Sequence, residues 1–104
     1  MNLIKVKQII DDFFLARGFE QGYYKDLDYE DYVVLSYMKK DFRIQASYDP
    51  EDQEYSITLD RPFYHLSKEK IVKSLEDLSK TNAEFLKELE PLMEKDERFL
   101  NLTT

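Results

Sequence analysis

The stretch FRIQASYDPEDQEYSITLD, residues 42–60, decides the fold. Apolar and polar side chains alternate strictly through residues 42–48 and again through residues 55–59. This pattern is typical of antiparallel strands that bury one face and leave the other wet. Residues 49–53, DPEDQ, are turn formers and predict the hairpin loop between the two strands. The polar residues predicted for the open face, where they meet solvent or a ligand, are Arg43, Gln45, Ser47, Ser56 and Thr58.

Two more strands are predicted on the amino-terminal side of this hairpin. Residues 32–38, YVVLSYM, form a continuous β-prone run, and KKD at 39–41 is short enough to close a hairpin. Its apolar side chains fall on both faces, which is typical of a central strand. Residues 19–27 predict the first strand, although Gly22 weakens that strand and suggests a bulge. The sheet is therefore expected to be a four-stranded antiparallel meander.

Helical patterns flank the predicted sheet. Residues 3–17 carry apolar side chains at spacings of three and four, with Asn2 placed to cap the helix and Gly18 to end it. Residues 61–66, RPFYHL, are expected to leave the sheet, and Ser67 to cap a second helical region. A heptad of mostly apolar residues follows. Its members are Ile71, Leu75, Leu78, Asn82, Phe85, Leu89 and Leu92.

The carboxyl-terminal region predicts either one helix kinked by Pro91 or two helices that break near residue 81. Its apolar stripe is about three residues wide per heptad, which favours packing against a sheet over a coiled coil. The predicted architecture is thus a single α+β domain over residues 1–104, with its helices on one sheet face.

Composition narrows the classes of function. A net charge of −7 disfavours direct binding of nucleic acid, because an acidic surface repels phosphates. The absence of cysteine favours a reducing compartment, and the first fourteen residues do not resemble a signal peptide. No apolar run approaches the length of a membrane span. A cytoplasmic protein that does not contact membranes is expected.

The segment YYKDLDYEDY, residues 23–32, holds four tyrosines and four acidic residues. Most of it is explained as a polar connection between strands, with tyrosines at the strand ends. Tyrosine and carboxylate together can also hold a basic partner through charge and cation–π contacts. The candidate interaction residues are Tyr23, Tyr24, Asp26, Asp28, Tyr29, Glu30, Asp31 and Tyr32.

Catalytic, metal and cofactor sites have weaker support. The acidic segment alternates carboxylates as a calcium loop does, but Asp31 occupies the place of its turn glycine and Tyr37 that of its bidentate glutamate. His65 is the one histidine, and nothing in the sequence shows that Asp60 orients it. Glycines at positions 18 and 22 cannot build a phosphate loop. No cofactor, metal or catalytic residue is predicted.

The leading hypothesis is a non-catalytic protein-binding module of the inhibitor, immunity or chaperone type, with a partner of basic character. A narrower version is a nucleic-acid mimic that blocks a basic groove. One alternative is a binder of small apolar ligands between sheet and helices. Another is a homo-oligomer through the heptad, where Asn82 occupies a position at which a buried asparagine often sets register. A homodimer through another surface also remains open.

Overall fold

The chain forms an N-terminal helix, a five-stranded antiparallel sheet and a C-terminal helix, so the α+β prediction is confirmed. The structure is a computed structural model that describes residues 1–22, 32–62 and 64–103. Side chains are described through residue 92, Tyr64 excepted. The elements are α1 (Leu3–Leu15), β1 (Glu20–Gln21), β2 (Val33–Lys39), β3 (Phe42–Asp49), β4 (Glu54–Arg61), β5 (Tyr64–Ile71) and α2 (Leu75–Thr103).

The strands follow one another in the sheet in chain order, β1-β2-β3-β4-β5, and each pair is antiparallel. The alternating stretch forms the β3–β4 hairpin as predicted, with Asp49 opposite Glu54 next to the loop. Lys40 and Asp41 connect β2 to β3, and Lys40 takes the left-handed φ of 55° that such a tight hairpin requires. The meander is therefore built from local connections alone.

Both helices pack on the same face of the sheet, which we call the inner face. Helix α1 contributes Val6, Ile10 and Phe14 to the core, and α2 contributes Leu78, Phe85 and Leu89. The sheet residues that join them in one cluster are Val33, Tyr37, Phe42, Ile44, Ala46, Tyr48, Tyr55, Ile57 and Leu59. Along each strand these residues lie an even number of positions apart, so their side chains all point to the inner face. Their immediate neighbours along the strand point to the opposite face, here called the open face, which carries the polar side chains.

Helix α1 begins where its sequence predicts. The side chain of Asn2 accepts a hydrogen bond from the backbone N–H of Ile4 at 2.8 Å, as an N-cap does. The helix ends at Leu15, two residues before the predicted end, and Gly18 adopts the left-handed φ of 84° that glycine tolerates best.

Strand β1 is shorter than predicted within the described residues. It covers Glu20–Gln21, and the remainder of the predicted strand, residues 23–27, lies outside the described ranges. The N–H of Gly22 donates to the carbonyl of Ser36 at 2.7 Å. A Cβ at this glycine would lie 2.7 Å from the Ser36 hydroxyl, so close approach of the two backbones explains the glycine.

The prediction that residues 61–66 leave the sheet was wrong, because a fifth strand follows at once. Pro62 and Phe63 separate β4 from β5, and Arg61 lies opposite Tyr64 across the hairpin. The strand was missed because lysines occupy two of its inner-face positions. Lys68 and Lys70 reach Glu88 and Glu84 of α2 at 3.2 and 3.4 Å, so ion pairs replace the expected apolar contacts.

The predicted start of the C-terminal helix was wrong for the same reason. Ser67 lies within β5, whereas the hydroxyl of Ser74 accepts the N–H of Asp77 at 3.1 Å and caps α2. Ile71, the first residue of the predicted heptad, is also in β5.

Of the two alternatives for this region, two separate helices are excluded. Helix α2 runs as one element from Leu75 to Thr103, with Pro91 inside it. It does not break near residue 81, where the Thr81 hydroxyl donates to the carbonyl of Asp77 at 2.9 Å. In the part of the chain that the structure describes, neither helix is long and apolar enough to cross a membrane.

Candidate binding surface

The open face of the sheet carries mostly small polar and charged side chains. The strand register aligns them in rows across the sheet, and one such row runs through Ser36, Gln45, Thr58 and Ser67. Arg43 and Gln45 are exposed, whereas Ser47, Ser56 and Thr58 are half-buried by their neighbours. Because both helices lie on the inner face, no described helix covers this four-strand-wide surface.

Seven of the eight predicted interaction residues lie outside the described residues. They are Tyr23, Tyr24, Asp26, Asp28, Tyr29, Glu30 and Asp31. The segment predicted as a calcium loop falls there as well. The eighth residue, Tyr32, directly precedes β2 and is 36% exposed. Of the predicted interaction segment, the structure therefore describes only the last residue.

Tyr32 lines a shallow depression of about 410 Å³ on the open face. The depression spans β2, β3 and β4 at the end of the sheet where the β3–β4 loop lies. Its lining residues are Tyr32, Val34, Gln45, Ser47, Tyr48, Asp49, Glu54 and Ser56. It combines two tyrosines, two serine hydroxyls, one amide group and two carboxylates.

The two carboxylates of this depression, Asp49 and Glu54, lie directly opposite each other on β3 and β4. Like charges in that relation destabilise a strand pair, by up to about 1 kcal/mol. Among the described residues neither carboxylate has a cationic partner within ion-pair distance. The sheet therefore places two negative charges next to each other that no described cation pairs with.

The β3–β4 loop holds this carboxylate pair in place. One oxygen of Asp49 accepts the backbone N–H of Glu51 at 3.0 Å, which orders the start of the loop. Gln53 closes the loop with a left-handed φ of 56°. The first carboxylate is thus fixed by the turn, and Glu54 is fixed by its place in the strand.

A second depression, of about 470 Å³, lies at the opposite end of the sheet. It is lined by Met38, Lys40, Asp41, Arg43, Asp60, Arg61 and Pro62. The Arg61 guanidinium is held there by the Asp41 carboxylate at 3.0 Å and by the Phe42 ring, whose centroid lies 4.7 Å away. This depression thus combines three cations with the carboxylates of Asp41 and Asp60, whereas the first depression is lined by two carboxylates and no cation.

His65 and Asp60, which no pattern in the sequence pairs, meet across β4 and β5. Nδ1 of His65 lies 2.7 Å from a carboxylate oxygen of Asp60. An ionised carboxylate can only accept, so Nδ1 carries the proton and Nε2 is left to act as a base. Both side chains are more than 60% exposed, and Asp60 lines the second depression. The pair is oriented, but no described residue joins it to form a catalytic arrangement.

Of the four tyrosines whose side chains the structure describes, three belong to the core, where each donates its hydroxyl hydrogen. Tyr37 donates to the Asp11 carboxylate and Tyr55 to the Asn82 amide oxygen, each at 2.5 Å. Tyr48 donates to the carbonyl of Val72 at 3.3 Å. These bonds tie the inner face to both helices and to the residue after β5, so these three tyrosines have a structural role.

Burial raises the pKa of Tyr37, and the hydrogen bond to the Asp11 carboxylate raises it further. Burial also raises the pKa of Tyr55, partly offset by its hydrogen bond to Asn82. For Tyr48, burial and then the charge of Asp49 raise the pKa.

Asn82, the polar residue of the heptad, is fully buried in this core and faces the sheet. Its side-chain nitrogen has no hydrogen-bond partner among the described residues. Association through the heptad would have to expose side chains that the core now buries, including Leu78, Phe85 and Leu89.

No protein-family model, curated protein or solved structure matches this chain. The function must therefore be inferred from the surface.

Proposed function

We propose that the protein is a binding module that holds a Lys- or Arg-rich segment of a partner protein at the acidic end of its open face. The observation that carries the proposal is the neighbouring pair of Asp49 and Glu54 in the depression beside Tyr32. A like-charge pair that weakens the sheet is expected where function requires it. A cation placed between the two carboxylates would relieve their repulsion.

The other groups of the depression suit the same ligand. Tyr32 offers a ring to a guanidinium or ammonium group, which such rings attract within about 6 Å. The Ser47 and Ser56 hydroxyls and the Gln45 amide accept hydrogen bonds from a basic side chain or a peptide backbone. The net charge of −7 would speed the approach of a basic partner.

This surface continues the predicted tyrosine- and acid-rich segment, because Tyr32 belongs to both. The proposal leaves the protein without a catalytic role and places it in the cytoplasm, with a protein partner. An inhibitor, immunity protein or chaperone of this kind would act by covering a basic surface of another protein. The nucleic-acid mimic is one form of the same proposal, in which the basic surface is an enzyme groove.

The test is the affinity for a short synthetic peptide rich in Lys and Arg, measured by calorimetry at about 0.15 M salt, where charges are screened beyond about 8 Å. The doubly substituted variant Asp49→Asn/Glu54→Gln should bind about tenfold more weakly, since two exposed ion pairs are worth up to about 1 kcal/mol each. Asparagine at position 49 can still accept the Glu51 N–H, so the loop is retained. The free energy of unfolding should rise slightly, because the like-charge repulsion is gone.

The matched control is Glu51→Gln/Asp52→Asn, which removes two negative charges from the exposed loop next to the depression. It should change the affinity less than twofold. Equal losses in the two variants would mean that the peptide responds to net charge alone, and the proposed site would be wrong. A peptide with glutamine in place of each basic residue should not bind.

A further inference from the structure

Strand β5 forms one edge of the sheet. It pairs with β4 through eight positions, from Arg61 opposite Tyr64 to Glu54 opposite Ile71. Within the described ranges no strand pairs with its other side. Eight residues span about 26 Å, which makes β5 a long edge for a small protein.

The backbone groups that face outward from this edge can be assigned. In an antiparallel pair, residues alternate between bonding to the neighbouring strand and pointing away from it. The N–H of Val72 donates to the carbonyl of Gln53 at 2.8 Å, which fixes the alternation for β4 and β5. The residues of β5 that direct their N–H and C=O away from β4 are therefore His65, Ser67, Glu69 and Ile71.

The usual protections of an edge strand are weak in β5. It contains no proline, and its register with β4 runs without a bulge. Lysines that point along an edge normally repel other strands. Here Lys68 and Lys70 lie on the inner face, where Glu84 and Glu88 of α2 hold them at 3.2–3.7 Å. Their charges are largely balanced within one copy of the chain.

We propose that β5 pairs with β5 of a second copy, antiparallel, with the two Ser67 residues opposite each other. In this register His65 lies opposite Glu69 of the second copy, and Leu66 lies opposite Lys68 of the second copy. No two like charges are then directly opposite. The three outward-facing pairs would exchange about six backbone hydrogen bonds and join the two sheets into one.

Neighbouring registers are less favourable. If the centre of the pairing shifts by one residue toward the carboxyl end of β5, Lys68 lies opposite Lys68 of the second copy. A shift of one more residue places Glu69 opposite Glu69 of the second copy. Moving the other way shortens the paired length to about five residues, fewer than the seven of the Ser67 register. The charge pattern of the strand thus favours one twofold arrangement of identical copies.

The first test is the molar mass in solution over a concentration series. The wild-type protein should rise from 12.6 kDa toward twice that mass as concentration increases. Ser67→Pro should stay monomeric but folded, because the Ser67 N–H points away from β4 and proline removes no bond within one copy. Ser67→Ala keeps the N–H and should dimerise as the wild type does. Association of Ser67→Pro at the wild-type concentration, or a wild type that remains monomeric throughout, would overturn the proposal.

The second test fixes the register. The chain has no cysteine, so Ser67→Cys introduces one thiol per copy. Opposed residues of this kind have Cα atoms about 5.5 Å apart, which a disulfide can span. Ser67→Cys should therefore form a covalent dimer under mild oxidation. Glu69→Cys should not, since its two thiols would be four residues out of register. Faster cross-linking of Glu69→Cys would contradict the Ser67 register.

Discussion

The buried hydroxyls of Tyr37, Tyr48 and Tyr55 determine how the protein responds to alkaline pH. The structure raises the pKa of each above the ordinary value near 10, chiefly through burial. Below about pH 10 these tyrosines are protonated in both the folded and the unfolded chain, and their contribution to stability is complete. Above it the unfolded chain loses protons that the folded chain keeps, so the free energy of unfolding falls by up to about 1.4 kcal/mol per pH unit for each of Tyr37 and Tyr55, whose pKa values are raised most, with Tyr48 acting in the same direction.

The measurement is the urea midpoint as a function of pH across the alkaline range. Tyr37→Phe removes one of the titrating groups. Above about pH 10 the free energy of unfolding of this variant should therefore fall less steeply with pH, by the contribution of one tyrosine. It should also lower stability at neutral pH, because the buried part of Asp11 loses its donor. Identical alkaline slopes for the wild type and Tyr37→Phe would contradict the assignment.

Among the secondary-structure elements, the boundary between β5 and α2 is the one that differs most from the sequence prediction. Ser74 caps α2, and its replacement by alanine should lower the free energy of unfolding by about 1 kcal/mol. Ser67→Ala lies in the middle of β5 on the open face and should cost less than about 0.5 kcal/mol. Chemical denaturation of the two variants checks the boundary. A larger loss at position 67 than at 74 would support a helix that begins at Ser67.

The elements also show why part of the fold is predictable from sequence. Strands β3 and β4 alternate strictly because each buries one face against the helices, and the β3–β4 loop contains residues that favour turns. The inner face of β5 contacts glutamates of α2, and Lys68 and Lys70 form ion pairs with them. These two positions are therefore not apolar, and the alternation that predicts a strand is absent from the sequence of β5. Tertiary ion pairs of this kind leave no trace in local periodicity.

At the scale of the whole molecule, the two depressions differ in charge: one is lined by cations and carboxylates together, the other by carboxylates alone. Arg43 and Asp49 lie six positions apart on β3, so these two residues, one in each depression, are separated by about 20 Å. The sequence identifies Tyr32 and the polar residues of the open face, because both follow from local patterns. The register of β3 on β4 places Asp49 against Glu54, and the β4–β5 hairpin, which the sequence did not predict, brings His65 to Asp60. These pairings depend on the topology of the sheet.

The most direct test of the proposed surface is an NMR titration of the ¹⁵N-labelled protein with the Lys- and Arg-rich peptide. The largest shift changes should fall at Tyr32, Ser47, Asp49, Glu54 and Ser56, and the signals of Arg43 and Lys40 should stay in place. The changes should need about tenfold more peptide in Asp49→Asn/Glu54→Gln and should keep their midpoint within twofold in Glu51→Gln/Asp52→Asn. Shifts spread evenly over the acidic residues of α2 and the loops would contradict a binding site at this end of the open face.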